Sequence, residues 1–110
     1  MNAGTIRERG GYAERTIRYV IERRLVPGID SVGTGNRRDY TAKQAFLIAL
    51  ACELREEGFR GPIVKSVVEM FDADREWNND NEITITFGKL GAVKLAISPI
   101  LIRRKLKIAR

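Results

Sequence analysis

Histidine is absent from this chain of 110 residues, and cysteine occurs once, at Cys52. The absence of histidine removes the usual general base, the commonest zinc ligand and the Ser-His and Cys-His nucleophile pairs. A single cysteine excludes an internal disulfide and a metal cluster built on thiolates. No paired-carboxylate signature stands out either. We therefore expect a protein that is not an enzyme and that uses no metal or other cofactor.

Long apolar runs are also missing. No stretch of eighteen or more uncharged apolar residues exists, so no membrane span is expected. The first four residues, Met1 to Gly4, do not combine a charged segment with an apolar one, as a secretory signal does. A single cysteine fits a reducing compartment. These absences predict a cytoplasmic protein.

The chain is basic, and its charge is unevenly distributed. Hydrophobic residues make up 44% and charged residues 31%, which suits one domain or one domain with an appendage. The net charge is +6: residues 1–60 carry 11 basic and 8 acidic side chains, residues 61–81 carry 2 and 5, and residues 82–110 carry 7 and 1. A basic domain favours a polyanionic partner, most often nucleic acid. The alternative is a basic protein without a polyanionic partner, and net charge alone does not distinguish the two.

Capping residues and apolar residues at helical spacing predict four helices in the first two thirds of the chain. The pair Gly10-Gly11 separates the first two helices, and Pro27-Gly28 ends the second. Thr41 and Gln44 match a capping box at the start of a central core helix. Residues 29–40 are glycine-rich and indicate a hairpin or loop. The predicted helices cover residues 5–9 (capped by Thr5), 12–24, 41–57 and a segment that starts at Pro62.

The apolar period changes from 3.6 to 2 in the last third of the chain. Residues 83–87 and 93–97 alternate apolar and other side chains, which predicts a β-hairpin. Residues 72–81 are acidic and Asn-rich, and they indicate a linker loop. The alternation in residues 100–108 favours a third strand, although Ser98-Pro99 is also compatible with a helix start.

Two cationic groups are candidates for contact with a polyanion. Arg15, Arg18 and Tyr19 lie on the side of the second helix away from its apolar stripe. The arginine fork donates two hydrogen bonds to a phosphate or a guanine edge, and a tyrosine hydroxyl adds a phosphate contact. The second group is the glycine-flanked sequence of residues 36–38, suited to the backbone or a narrow minor groove. The alternatives are a solvated helix face and an ordinary surface turn.

These residues resemble the DNA-binding domain of the MerR (mercury-resistance regulator) family. The resemblance covers about residues 4–71 and depends on four short motifs in series, each of them weak alone. The motifs are Arg15-Thr16-Ile17-Arg18-Tyr19, Leu25-Val26-Pro27, Gly35-Asn36-Arg37-Arg38-Asp39-Tyr40-Thr41 and Leu54-Arg55-Glu56-Glu57-Gly58-Phe59. The chain departs from the family in having Val20-Ile21 before Glu22, where a second tyrosine is usual. It also has a β-hairpin where the family has a long dimerising helix.

The resemblance implies a bacterial transcriptional regulator that binds double-stranded DNA as a homodimer. In that family the second helix enters the major groove and the wing contacts the flanking backbone. Thr16 would be the residue nearest a base edge. The candidate DNA-binding residues are therefore Arg15, Thr16, Arg18 and Tyr19 on the helix, and Asn36, Arg37, Arg38 and Tyr40 on the wing.

The predicted fold is mainly α with a small β part. It comprises a winged helix-turn-helix domain in residues 1–71, a linker in 72–81, and a hairpin or three-stranded sheet in 82–110. The apolar face of the hairpin packs on the domain's own helices or on a second copy; the second arrangement is slightly favoured. Two other functions stay open. One is an excisionase-like architectural DNA binder, and the other is a protein-interaction module with a degenerate helix-turn-helix.

Overall fold

The computed structural model describes residues 1–29, 39–74, 76–88, 91 and 93–108. The fold of this part is mainly α with one small antiparallel sheet, as the sequence predicts. The predicted wing residues Asn36, Arg37 and Arg38 lie outside the described residues. The elements are α1 (Ala3–Gly10), α2 (Glu14–Glu22), α3 (Ala42–Glu56), α4 (Gly61–Asp74), a 3-10 helix (Glu76–Asn78), β1 (Ile83–Phe87), β2 (Val93–Ile97) and α5 (Pro99–Leu106).

The first helix is longer than predicted because its cap is Asn2 and not Thr5. The Asn2 side-chain oxygen accepts a hydrogen bond from the Thr5 backbone N–H at 2.9 Å, which satisfies a donor that no helical carbonyl reaches. Gly11 ends α1 in the left-handed region, at a φ of 72°. A turn of three residues then leads into α2, which is shorter at both ends than predicted.

The central helix is α3, and its predicted capping box is confirmed. The Thr41 side chain accepts from the Gln44 backbone N–H, and the Gln44 side chain accepts from the Thr41 N–H. Every residue from Ala45 to Cys52 is buried. α1, α2, α4 and α5 all contact α3. Since α3 is apolar on most sides, it serves as the common core of the helices around it.

The β-hairpin forms as predicted, in an antiparallel register that pairs Ile83 with Ile97 and Ile85 with Leu95. Ile85 and Ile97 are buried. One face of the hairpin therefore packs on the chain's own core.

The predicted third strand is wrong, since residues 99–106 form the helix α5. Pro99 occupies the first helical turn, where its missing N–H costs nothing. Ile102 and Leu106 are four residues apart and both buried, so they share one helical face. That face packs against α1 and α3. A short run in which apolar and basic residues alternate does not distinguish a strand from a helix whose partner is distant in sequence.

The segment predicted as a linker also contains helical structure. α4 continues to Asp74, and the 3-10 helix that follows contacts α3, α4 and α5. The Trp77 ring lies 6.3 Å from the Phe46 ring, between centroids. Arg103 is 3% exposed and donates hydrogen bonds to the Trp77 and Asn79 carbonyl oxygens, both at 2.8 Å. These contacts join the segment to the core.

Candidate nucleic-acid interface

The helix α2 divides its residues between the core and the surface. Ile17 and Val20 are buried, whereas Arg15 and Arg18 are exposed. The division follows from helical spacing, because residues three apart share a face and those on the opposite side meet solvent. α2 packs on α3. The predicted separation of an apolar side and a cationic side is therefore present in the fold.

An open depression of about 670 Å³ lies beside the first turns of α2. It brings together residues of α2 and of the end of α3, which are far apart in sequence. Two arginines and one tyrosine give it hydrogen-bond donors. Its lining residues are Ala13, Arg15, Thr16, Tyr19, Arg55 and Glu56.

Tyr19 is held in this depression by arginines. The Arg55 guanidinium lies 4.5 Å from the centre of the Tyr19 ring, and the Arg23 guanidinium lies 5.4 Å from it. Arg55 also donates to the Phe59 carbonyl oxygen at 3.1 Å, which orients its side chain. A guanidinium against an aromatic face is attracted by the ring quadrupole. Tyr19 is therefore a half-buried residue with a defined position.

Arg55 is a residue that sequence reasoning missed as a candidate contact. It lies in one of the four motifs of the resemblance, but nothing in local spacing relates it to Tyr19. Only the packing of α2 on α3 places it in the depression. Arg23, by contrast, is the C-cap of α2, four residues after Tyr19, and this spacing is the signal from which its contact is predictable.

Carboxylates moderate the positive charge of α2. Glu56 accepts a hydrogen bond at 2.9 Å from the Ala13 N–H, at the start of α2, where Ala13 has no side-chain cap. Glu14 pairs with Arg18 at 3.0 Å, and both side chains are more than half exposed. Such an exposed pair is weak. The Glu14–Arg18 ion pair can therefore be broken at little cost.

Two predicted contacts are placed in the interior. Thr16 is 8% exposed and lines the depression, so it presents little surface to a base edge. Tyr40 is 2% exposed and belongs to the core. Its backbone N–H donates to the Met1 carbonyl oxygen at 2.8 Å, beside the start of α1. The burial of Tyr40 argues against the wing contact that the resemblance implies for it.

Two of the basic residues of α5 are engaged in ion pairs. Arg103 is buried and forms an ion pair with Asp80. Lys105 pairs with Glu53. Arg104 and Lys107 are exposed. Of the basic residues in 103–107, only Arg104 and Lys107 are therefore exposed and outside these ion pairs.

Cys52 is placed in the core, as its position in an apolar helix suggests. Burial raises the pKa of the Cys52 thiol, and the Glu56 and Glu53 carboxylates add to the effect. A thiol whose pKa is raised carries little thiolate, so Cys52 is a poor nucleophile and a poor metal ligand. Among the described residues, no group of three or more His, Cys, Asp or Glu side chains is arranged to hold a metal ion.

Comparison with known protein families, with curated proteins and with solved structures finds no match to this chain. Within the residues described, none of the helices combines the length and the apolar character that crossing a membrane requires.

Proposed function

We propose that this chain is a sequence-specific double-stranded DNA-binding protein, a homodimeric transcriptional regulator of MerR type in the bacterial cytoplasm. The observation that carries the proposal is the placing of α2. Its apolar side is buried on α3, while Arg15 and Arg18 face solvent beside the depression that holds Tyr19 and Arg55. A short helix joined to a preceding one by a glycine turn is an arrangement that fits a major groove.

In this proposal α2 positions the protein in the major groove, and the arginines supply the affinity for DNA. Arg15, Arg18 and Arg55 reach phosphates, and each contact releases counterions from the duplex. The Tyr19 hydroxyl adds a neutral phosphate contact. The predicted wing residues Arg37 and Arg38 extend the contacts to the flanking backbone. We propose no enzymatic activity: the chain lacks histidine, burial raises the pKa of the Cys52 thiol, and the described residues hold no group of side chains arranged for a metal ion.

The first experiment is fluorescence anisotropy of the full chain with a random-sequence duplex library, across a series of salt concentrations, with bound sequences recovered and read. Enriched motifs with two-fold symmetry support a dimeric regulator. Tight binding without a motif, with a steep dependence on salt, supports the architectural alternative. Absence of binding at low salt contradicts DNA as the partner and leaves the protein-interaction alternative.

Single substitutions then test the face itself. We expect Arg18→Ala and Arg37→Ala each to weaken binding to all sequences and to lower the salt slope by about one, as loss of one phosphate contact does. Lys107→Gln removes the same charge from the exposed C-cap of α5 and is the control. Equal effects of all three variants would show that the response reflects net charge and not this face.

A further inference from the structure

A second surface of the chain lies far from α2 in sequence, between β2 and the helices α3 and α5. It is a groove of about 640 Å³. Leu101, on its margin, is 57% exposed. The other large apolar side chain found exposed among the described residues, Met70, lies on α4 outside the groove. The apolar lining residues are Leu50, Leu54, Phe59, Leu95, Ile97 and Leu101. Of these, Leu101 is exposed, Phe59 and Leu95 are half-buried, and Leu50, Leu54 and Ile97 are buried. The groove therefore offers partly exposed apolar surface, of the kind that binds a partner.

The open edge of a strand borders this groove. β2 pairs with β1, and no other described strand is its neighbour. The last three residues of β2, from Leu95 to Ile97, all line the groove. Successive side chains of a strand point to opposite faces, so an uninterrupted run of lining residues means that the strand edge itself faces the groove. Unpaired N–H and C=O groups on such an edge accept an added strand.

We infer that the groove is occupied by a second copy of this chain, whose β2 pairs antiparallel with the first β2 around a two-fold axis at Leu95. The inference deepens the proposed function, on whose homodimer it rests, by naming the surface through which the copies meet. Two hairpins joined in this way form a four-stranded sheet, which is more stable than either two-stranded sheet alone. A two-fold axis requires a surface that complements itself, and β2 meets that requirement.

The register follows from the residues of β2. Residues that oppose each other in an antiparallel pair lie on the same face of the sheet. A register in which Leu95 and Ile97 of both copies lie on the core side therefore has its two-fold axis at a residue, because a shift by one residue would move one set of side chains to the other face. An axis at Lys94 opposes two lysines, which is destabilising. An axis at Leu95 opposes Lys94 to Ala96, opposes Leu95 to itself and overlaps all five residues of the strand.

Charge around the groove also favours a second copy. Glu57 is exposed on its rim and has no ion-pair partner among the described residues. Lys94 on β2 and Arg104 on α5 are exposed cations that likewise make no ion pair within this part of the chain. The two-fold axis at Leu95 brings β2 of one copy, with Lys94, to the groove of the other. Since the chain carries a net charge of +6, two copies meet most favourably at a face that contains carboxylates.

The test is sedimentation equilibrium of the full chain without DNA, from micromolar to millimolar concentration. We expect a dimer. Leu101→Lys places a charge in the interface and should raise the dimer dissociation constant by at least about tenfold. Met70→Lys makes the same change at the other exposed apolar residue and should leave the dimer dissociation constant unchanged. Circular dichroism establishes that both variants are folded.

Cross-linking tests the register. In a Cys52→Ala background, Leu95→Cys should form a disulfide-linked dimer on mild oxidation, because directly opposed Cβ atoms lie about 4.5–5.5 Å apart. Thr84→Cys, on the exposed face of β1, should not. A chain that stays monomeric at all concentrations overturns the inference. So does a dimer that survives Leu101→Lys and forms no cross-link at position 95.

Association and DNA binding are separable outcomes. If the chain dimerises through this groove but binds no duplex, the proposed function fails and the inference stands. If Arg18→Ala weakens binding to DNA while the wild-type chain shows no self-association, the dimer fails and the DNA-binding face stands.

Discussion

At the scale of single residues, Glu53 joins three parts of the chain. Its carboxylate accepts a hydrogen bond from the Tyr12 hydroxyl at 3.0 Å and pairs with Lys105 on α5. Tyr12 is 4% exposed, and the Lys105 ammonium lies 5.7 Å from the centre of its ring. The hydroxyl of a buried tyrosine needs a hydrogen-bond partner. Glu53 is that partner.

The environment of Tyr12 predicts a loss of stability in alkali. Burial raises the pKa of Tyr12, and the neighbouring Glu53 carboxylate adds to the shift. The unfolded chain loses the tyrosine proton above about pH 10, while the folded chain retains it. The free energy of unfolding should therefore fall as the pH rises from that point. Urea denaturation from neutral pH to about pH 11 should show a shallower fall in Tyr12→Phe than in the wild type. Equal slopes would contradict the assignment.

Substitutions of Arg103 and of its neighbour Arg104 should differ in their effect on the free energy of unfolding. The Arg103 guanidinium satisfies the carbonyl oxygens of Trp77 and Asn79 and the Asp80 carboxylate. Arg103→Met leaves these acceptors without their donor and should lower the free energy of unfolding by about 2–4 kcal/mol. Arg104→Met, at an exposed position of the same helix, should change it by less than about 0.5 kcal/mol. Chemical denaturation followed by Trp77 fluorescence measures both, and similar effects would contradict the role given to Arg103.

At the scale of elements, the turn between α1 and α2 depends on a glycine that has no space for a side chain. A Cβ added to Gly10 would lie 2.0 Å from the Tyr12 ring. The ring cannot move aside freely, because it is buried and its hydroxyl is bound to Glu53. The absence of a side chain at Gly10 therefore lets α1 and the Tyr12 ring approach closely.

Two identical substitutions in α1 should have opposite effects. Gly10→Ala overpacks the Tyr12 site and should destabilise the fold by about 1–3 kcal/mol. Gly4→Ala meets only the Asn2 side chain, at an ordinary 3.4 Å, and should stabilise the helix by about 0.5–1 kcal/mol. Thermal unfolding of the two variants gives the comparison. A stabilised Gly10→Ala variant would contradict the tight contact between α1 and Tyr12.

At the scale of the whole molecule, the C-terminal segment is joined to the N-terminal helices. α5 contacts α1 and α3, and Arg9 on α1 donates a hydrogen bond to the Leu106 carbonyl oxygen at 2.9 Å. Lys105 and Arg103 add contacts to α3 and to the segment after α4. These contacts join residues 1–71 to residues 82–110, the two parts that the sequence predicts to be separated by a linker at 72–81.

The packing of α5 predicts that the chain unfolds as one cooperative unit. Far-UV circular dichroism and Trp77 fluorescence should give coincident transitions in urea. A chain ended at residue 81 lacks the surface that α5 buries and should be much less stable or unfolded. Two separate transitions, or a truncated chain as stable as the whole, would support instead the predicted division into residues 1–71 and 82–110.

Much of the candidate site was predictable because it depends on local spacing. Arg15, Arg18 and Tyr19 follow from the helical period, and the Thr41 capping box follows from two residues three apart. Arg55 beside Tyr19 was not predictable in this way, since it requires α2 to pack on α3. The burial of Thr16 and Tyr40 likewise depends on which neighbours cover them. The part of the site assigned to Asn36, Arg37 and Arg38 lies outside the described residues and stays a prediction.

The sequence by itself determined the helical character of residues 42–56, the β-hairpin and the cationic side of α2, because periodicity, capping and turn residues act over a few positions. Only the tertiary structure decided the conformation of residues 99–106. Their alternation suits a strand, but α1 and α3 bury one helical face of them, and Arg103 finds its acceptors only across that packing. Contacts between residues distant in sequence outweigh a weak local preference.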